Sequence, residues 1–204
     1  MDEQVLSSLI KWPSVPVCRK WLALNRRGDW LMRNEFAQSN HLPGEVIKHR
    51  GLIEFIERNF AADSAGEWFF QNGPQRVYVD LDYTPFISRI YIENRQKILK
   101  TTLGQEIEPE KCWMDENGQI ILRANIEMQR LIGESNPTFI LERHSIAILL
   151  HDHDLDLFSE TAQFHNTCGS LGIWEWQGKS FEIEAIHSQE IKKDYCFLPC
   201  SRNS

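Results

Sequence analysis

A chain of 204 residues that is 42% hydrophobic and 25% charged has the make-up of an ordinary soluble globular protein. Such a chain buries about 70% of its unfolded surface, so it needs neither disulfide nor metal to fold. Its net charge of -7 argues against nucleic acid or an anionic membrane as the main partner, because both demand a basic face.

The acidic N-terminus lacks the basic segment and long apolar core of a signal peptide, and the longest strongly apolar run, Ser145–Leu150, is too short to span a bilayer. A cytoplasmic protein is expected. The five cysteines, Cys18, Cys112, Cys168, Cys196 and Cys200, are odd in number and scattered, which fits reduced thiols better than a disulfide framework.

In chain order, the first element is a helix over Asp2–Lys11. Asp2 can cap it, Val5, Leu6, Leu9 and Ile10 recur at helical spacing, and Pro13 ends it. A turn signal then appears three times, at Asn25–Met32, Asp63–Phe70 and Asp115–Leu122. Each has Asn or Asp to start a type I turn, Gly three residues later for the left-handed position, and an apolar run after it. The first and third copies follow apolar stretches and predict β-hairpins. The second follows a helix whose stripe is Leu52, Ile53, Ile56 and Phe60, ending near Asn59. The copies are irregularly spaced, which excludes a solenoid or propeller. Common turn chemistry is the simpler explanation, and internal duplication is the other.

The middle of the chain predicts strands at Glu67–Gln71, Gln75–Leu81 and Phe86–Ile92, joined by turns at Asn72-Gly73-Pro74 and Tyr83-Thr84-Pro85. If the last two strands pair, Val77, Val79, Leu81, Phe86 and Ile90 share the core face. Arg76, Tyr78 and Asp80 then lie beside Ile87, Arg89 and Tyr91 on the other face. Further strands are expected at Lys97–Thr101, Gln119–Asn125, Phe139–Leu141 and Ser145–Leu150. A helix over about Asp154–Phe164 and a hairpin turning at Gln177-Gly178 complete the reading. The predicted fold class is α+β, mostly antiparallel β sheet with a few short helices. The polar break at Gly104–Pro109 suggests an N-terminal α+β module over 1–105 and a C-terminal, mostly-β module over 106–204, the alternative being one compact unit.

Three blocks carry a resemblance: Trp12–Pro16, Trp21–Trp30 and Trp68–Val79. Together they resemble a proteobacterial family known only as a domain of unknown function. That family shares a Trp-Pro-x-Val-Pro opening, a Trp-Leu-x-Leu hairpin ending in Gly-x-Trp, and a Trp-Phe-Phe-Gln-Asn-Gly-Pro-Gln-Arg-Val-Tyr-Val block. The resemblance implies a cytoplasmic bacterial protein, mostly β, and carries over no activity, cofactor or catalytic residue. The stretch Val79–Phe86 is also similar to a second uncharacterised bacterial family, whose strand ends in Asp-x-Pro-Phe.

Candidate chemistry is sparse. His151 and His153, with Asp156, could ligate a metal if they lay in a strand. The same residues open a helix, where Asp154 can bond the first free amides and Asp156 favours the positive end. His165, Cys168, Cys196 and Cys200 form a second set with spacings that zinc can close. No nucleophile elbow, phosphate loop or dinucleotide fingerprint is present. The remaining candidate is the wet face carrying Arg76, Tyr78, Arg89 and Tyr91, with the amides of Gln71, Asn72 and Gln75 at the adjoining turn. Two guanidinium forks there suit a carboxylate, a phosphate or an acidic segment. These residues point to a binding or regulatory module with no cofactor, recognising a small anionic ligand or a protein segment. The alternative is a zinc protein, structural or hydrolytic.

Overall fold

The computed structural model describes residues 1–133, 138–167 and 169–194. It begins with α1 (Glu3–Lys11), β1 (Cys18–Leu24), β2 (Trp30–Met32), α2 (Glu35–Ser39), β3 (Glu45–Val46) and α3 (Arg50–Arg58). Next come β4 (Phe60–Ala62), β5 (Trp68–Asn72), β6 (Gln75–Leu81), β7 (Ile87–Glu93), β8 (Gln96–Thr101), β9 (Glu106–Ile107) and β10 (Pro109–Met114). The long strands β11 (Ile120–Ile132) and β12 (Thr138–Leu150) follow, then a 3-10 turn at Asp152–Asp154 and α4 (Leu155–Ser159). The described chain closes with β13 (Ala162–Thr167), β14 (Ser170–Trp176), β15 (Lys179–Ala185) and α5 (Ser188–Asp194).

Two compact units result. The first holds residues 1–85 with the described part of 127–142; the second holds 86–126 with the described part of 143–195. Each of β11 and β12 therefore contributes one end to either unit.

In the first unit the strands run β4-β5-β6-β1-β2-β3, and β11 pairs with β4. Helix α3 lies on one face of this sheet, where Phe55 meets Phe70 edge-to-face at 5.4 Å. Trp30, Phe60 and Trp68 form an aromatic cluster with centroids 5.2 and 4.8 Å apart. The opposite face buries Ala61, Phe69, Tyr78 and Leu131, against which Met1 and Phe139 pack. Asn59, 0% exposed, ties down the N-terminus by accepting the Asp2 N–H at 2.8 Å and donating to the Asp2 carboxylate. The Asp2 side chain therefore binds Asn59 and Arg58 instead of capping α1.

In the second unit β13-β14-β15-β10-β11 form one run, and β12 pairs with β7, which continues through β8 to β9. Its aromatic centre is Trp174, 0% exposed, stacked on Phe158 at 5.0 Å and flanked by Trp176 and Phe181. The stretch Gly104–Pro109 lies inside this unit.

The expected α+β, mostly antiparallel class is corrected by the strand pairings. Among the described residues strand far outweighs helix, and the sheet is mixed. Among the described residues four pairings are parallel: β1 with β6, β10 with β15, β11 with β4, and β12 with β7. All four join segments distant in the chain, whereas hairpin signals report only sequential neighbours. A second correction follows from the first. Both edges of β6 are already taken, by β5 and by β1, so β7 cannot pair with it as expected. The helix expected over Asp154–Phe164 stops at Ser159, and Ala162–Thr167 is strand. The second Asp-x-x-Gly turn also joins a hairpin, because Phe60 starts β4 and does not extend α3.

Candidate functional site

The face of β5 and β6 that bears Phe69, Gln71, Arg76 and Tyr78 is set by register. Phe69 stands opposite Tyr78, Gln71 opposite Arg76, and Asn72 opposite Gln75. Alternation along each strand then puts Gln71 and Arg76 on the same side as the Phe69–Tyr78 pair. This face is half-buried rather than wet.

Tyr78 is the hub. Its ring carries the Arg19 guanidinium at 3.7 Å, and Arg19 is clamped by both oxygens of Glu67 at 2.7 and 2.9 Å. The Tyr78 hydroxyl donates to Asp63 Oδ2 at 3.0 Å and accepts from Arg76 Nη1 at 3.3 Å. Burial is the main cause that pushes the Tyr78 phenol above its ordinary pKa. Glu67 is held below the usual carboxylate range by its bond to Arg19. Arg76 also lies over the Phe69 ring at 4.6 Å, an arrangement that favours the cation through the ring quadrupole.

Arg76 differs from its counterparts. Among the described residues the partly buried arginines Arg26, Arg33, Arg89, Arg123 and Arg130 each pair with a carboxylate, and Arg76 pairs with none. Its Nε is shut off from water without a hydrogen-bond partner. Gln71, 0% exposed, donates its Nε2 to Gly73 O at 2.9 Å, and its Oε1 is a second buried atom without a partner. The turn residues Asn72 and Gln75 border this face, and Gln75 Nε2 donates to Pro16 O at 3.3 Å.

The other half of the expected face belongs to the second unit and does something else. Arg89 grips Asp154 through Nε and Nη2 at 2.6 and 3.2 Å, and Asp154 Oδ2 also accepts the Ile90 N–H at 3.0 Å. Asp154 is 4% exposed by side chain, so this is a buried structural clamp between β7 and the turn before α4. Tyr91 is exposed on β7. Arg76 and Arg89 are thus not brought together on one paired face. Asp63 and Arg19 are additional residues of the Tyr78 network. The turn signal locates Asp63 in the sequence, but nothing local shows that its second oxygen reaches Tyr78.

Of the metal candidates, His151, Asp152 and His153 offer ligand atoms within 4.8 Å of one another. Neither Asp156 nor His165 belongs to that group. The Nδ1 of His151 accepts the His153 N–H at 3.0 Å, so that lone pair is already engaged in capping. His151 rather than Asp154 therefore caps the turn. His165 is exposed on β13, and Cys168, Cys196 and Cys200 lie outside the described residues. Cys18 and Cys112 are free thiols, and burial pushes Cys112 up to about 12.

With this geometry in hand, comparison with known proteins places the sequence. A family described as "Protein of unknown function (DUF2946)" matches residues 1–201. The chain belongs to that family, DUF2944. No curated protein matches it. Two crystal structures of DUF1285 family proteins resemble the DUF2944 chain. The one from Silicibacter pomeroyi DSS-3 has a TM-score of 0.44 and 14% identity, covering 93% of this chain and 99% of that one. The one from Shewanella baltica OS155 has a TM-score of 0.40 and 12% identity, covering 69% and 91%. No helix among the described residues is long and apolar enough to cross a membrane.

Proposed function

We propose that this DUF2944 protein is a cytoplasmic binding or regulatory module that recognises a small anionic ligand through Arg76. The observation behind this reading is the unpaired guanidinium. A partly buried arginine ordinarily offsets its lost hydration with a carboxylate, as the other five among the described residues do. Arg76 instead lies on two aromatic rings with donors to spare. The recessed position of Nε favours a compact anion over the exposed carboxylate of a protein segment.

The test is titration of acetate and of inorganic phosphate into protein carrying 15N-labelled arginine. The Arg76 Nε–H resonance is expected to move saturably, and Arg76→Ala to abolish binding while the circular dichroism spectrum and melting curve persist. Equal binding by Arg76→Ala and wild type would overturn the assignment.

A further inference from the structure

We propose that the Arg76 site takes a 2-hydroxycarboxylate, its carboxylate side-on against Nε and Nη2 of Arg76 and its hydroxyl donating to Oε1 of Gln71. The inference rests on the anion-binding reading above and specifies the ligand class.

Three observations carry it. First, the free edge of Arg76 is the correct one. Nη1 is bonded to the Tyr78 hydroxyl, and among the described residues neither Nε nor Nη2 makes a hydrogen bond. In the same chain Arg89 and Arg58 bind the carboxylates of Asp154 and Asp2 through this same pair, Nε with Nη2. The Nε–Nη2 edge presents two parallel N–H groups, which matches the two oxygens of one carboxylate.

Second, an acceptor without a donor stands opposite. The Gln71 amide is fixed by its Nε2 bond to Gly73 O, which leaves Oε1 directed away from that bond, buried and unpartnered. A bare carboxylate beside it would set oxygen lone pairs against another lone pair. A ligand with a donor next to its carboxylate satisfies both orphans at once, and a buried polar atom without a partner is destabilising while it lasts. The donor must be neutral, because an ammonium would lie close to the guanidinium and be repelled.

Third, the pair at the corresponding distance from a hairpin turn in the second unit is exposed and satisfies itself. Counting from its two-residue turn, the second cross-strand pair of β14 and β15 is Glu175 with Ser180. The Ser180 hydroxyl donates to Glu175 Oε1 at 2.6 Å, so that pair is self-satisfied. Gln71 and Arg76, the second pair from the turn of β5 and β6, form no such bond. Entry to Nε requires neighbouring side chains to shift. Met1 and Phe139 are the partly buried residues packed against the adjoining Phe69–Tyr78 cluster.

Acetate and glycolate differ only by the hydroxyl and make the test. Each is titrated into wild-type protein and followed at the Arg76 Nε–H resonance. Glycolate is expected to bind roughly fivefold more tightly or better, the worth of one net hydrogen bond. Gln71→Leu, which keeps the bulk and removes the acceptor, is expected to erase that preference and leave acetate binding in place. Equal affinity of the two acids for wild type overturns the hydroxy-acid inference and leaves anion binding standing. No response of Arg76 to either acid overturns the hydroxy-acid inference, and no response to inorganic phosphate as well overturns both. The wild-type comparison decides even if Gln71→Leu does not fold.

Discussion

His151 shows how one side chain absorbs several demands. It is 5% exposed, its Nδ1 accepts the His153 N–H, and Asp152 Oδ1 lies 2.9 Å from the same nitrogen. An Nδ1 that accepts cannot also donate to Asp152, so protonation would exchange the capping bond for an ion pair. Burial is the larger cause that lowers the His151 pKa, and the Arg89 charge is the second; Asp152 and Asp154 oppose them, and His153 adds to them. The folded imidazole is therefore neutral at pH 7. Because its folded pKa is depressed, the unfolded state binds more protons at acid pH. Its contribution to stability is complete above the unfolded value of about 6.5 and falls away as pH drops below it. His151→Asn retains an oxygen for the His153 N–H and removes the titration. Its melting temperature is expected to fall less between pH 7.5 and pH 5.5 than that of wild type, measured by calorimetry in matched buffers. An equal fall in both proteins would show that other groups govern the acid limb.

At the scale of elements, the three Asn/Asp-x-x-Gly turns prove to be one device used three times. In each, the first side-chain oxygen accepts two backbone N–H groups, two and four residues on: Arg27 and Asp29, Ala65 and Glu67, Asn117 and Gln119. In each, the glycine N–H returns to the first residue's carbonyl, with glycine φ of +79, +83 and +76. Such local bonding is why these turns were legible from spacing alone. Asp63 goes further, since its other oxygen accepts the Tyr78 hydroxyl. Asp63→Asn keeps the turn acceptor and changes only the second oxygen. It is expected to cost about 1 kcal/mol, against about 2–3 kcal/mol for Asp63→Ala, which loses all three bonds. Urea denaturation of the two variants separates them: no cost for Asp63→Asn would mean that the Tyr78 bond adds nothing, and equal costs would mean that the two turn bonds add nothing.

What could be read from the residues follows the same division by distance along the chain. Alternation over Gln75–Leu81 located Arg76 and Tyr78 on one face, and Asn72-Gly73-Pro74 located the turn that brings Gln71 opposite Arg76. Arg89 and Tyr91 were placed beside them only by assuming that neighbouring strands pair. That assumption fails because β6 is flanked on its second edge by β1, which arrives from far upstream. The short strands β3 and β4 and the end of α4 were missed because two to five residues carry too little periodicity to separate helix from strand.

At the scale of the whole molecule, the two units share one strand order. In the first, the meander β4-β5-β6 adds its last strand parallel to β1, the first strand of the earlier hairpin β1-β2. In the second, the meander β13-β14-β15 adds β15 parallel to β10, the first strand of the earlier hairpin β10-β11. Each hairpin turns on an Asx-x-x-Gly motif, and each meander follows a helix, α3 or α4. This is a topological repeat that the irregular turn spacing hid. In both units the parallel pairing joins two separately formed hairpins, so β6 and β15 are bonded on both edges while β3 and β13 end their runs. Amide exchange tracks the free energy of local opening, which is highest for strands paired on both sides. Native-state hydrogen exchange is therefore expected to find the slowest amides in β5–β6 and β14–β15, and faster ones in β3 and β13. Slow exchange in only one meander would show that the shared order does not confer shared stability. Faster exchange in β6 than in β3 would contradict the central place of the parallel pairing.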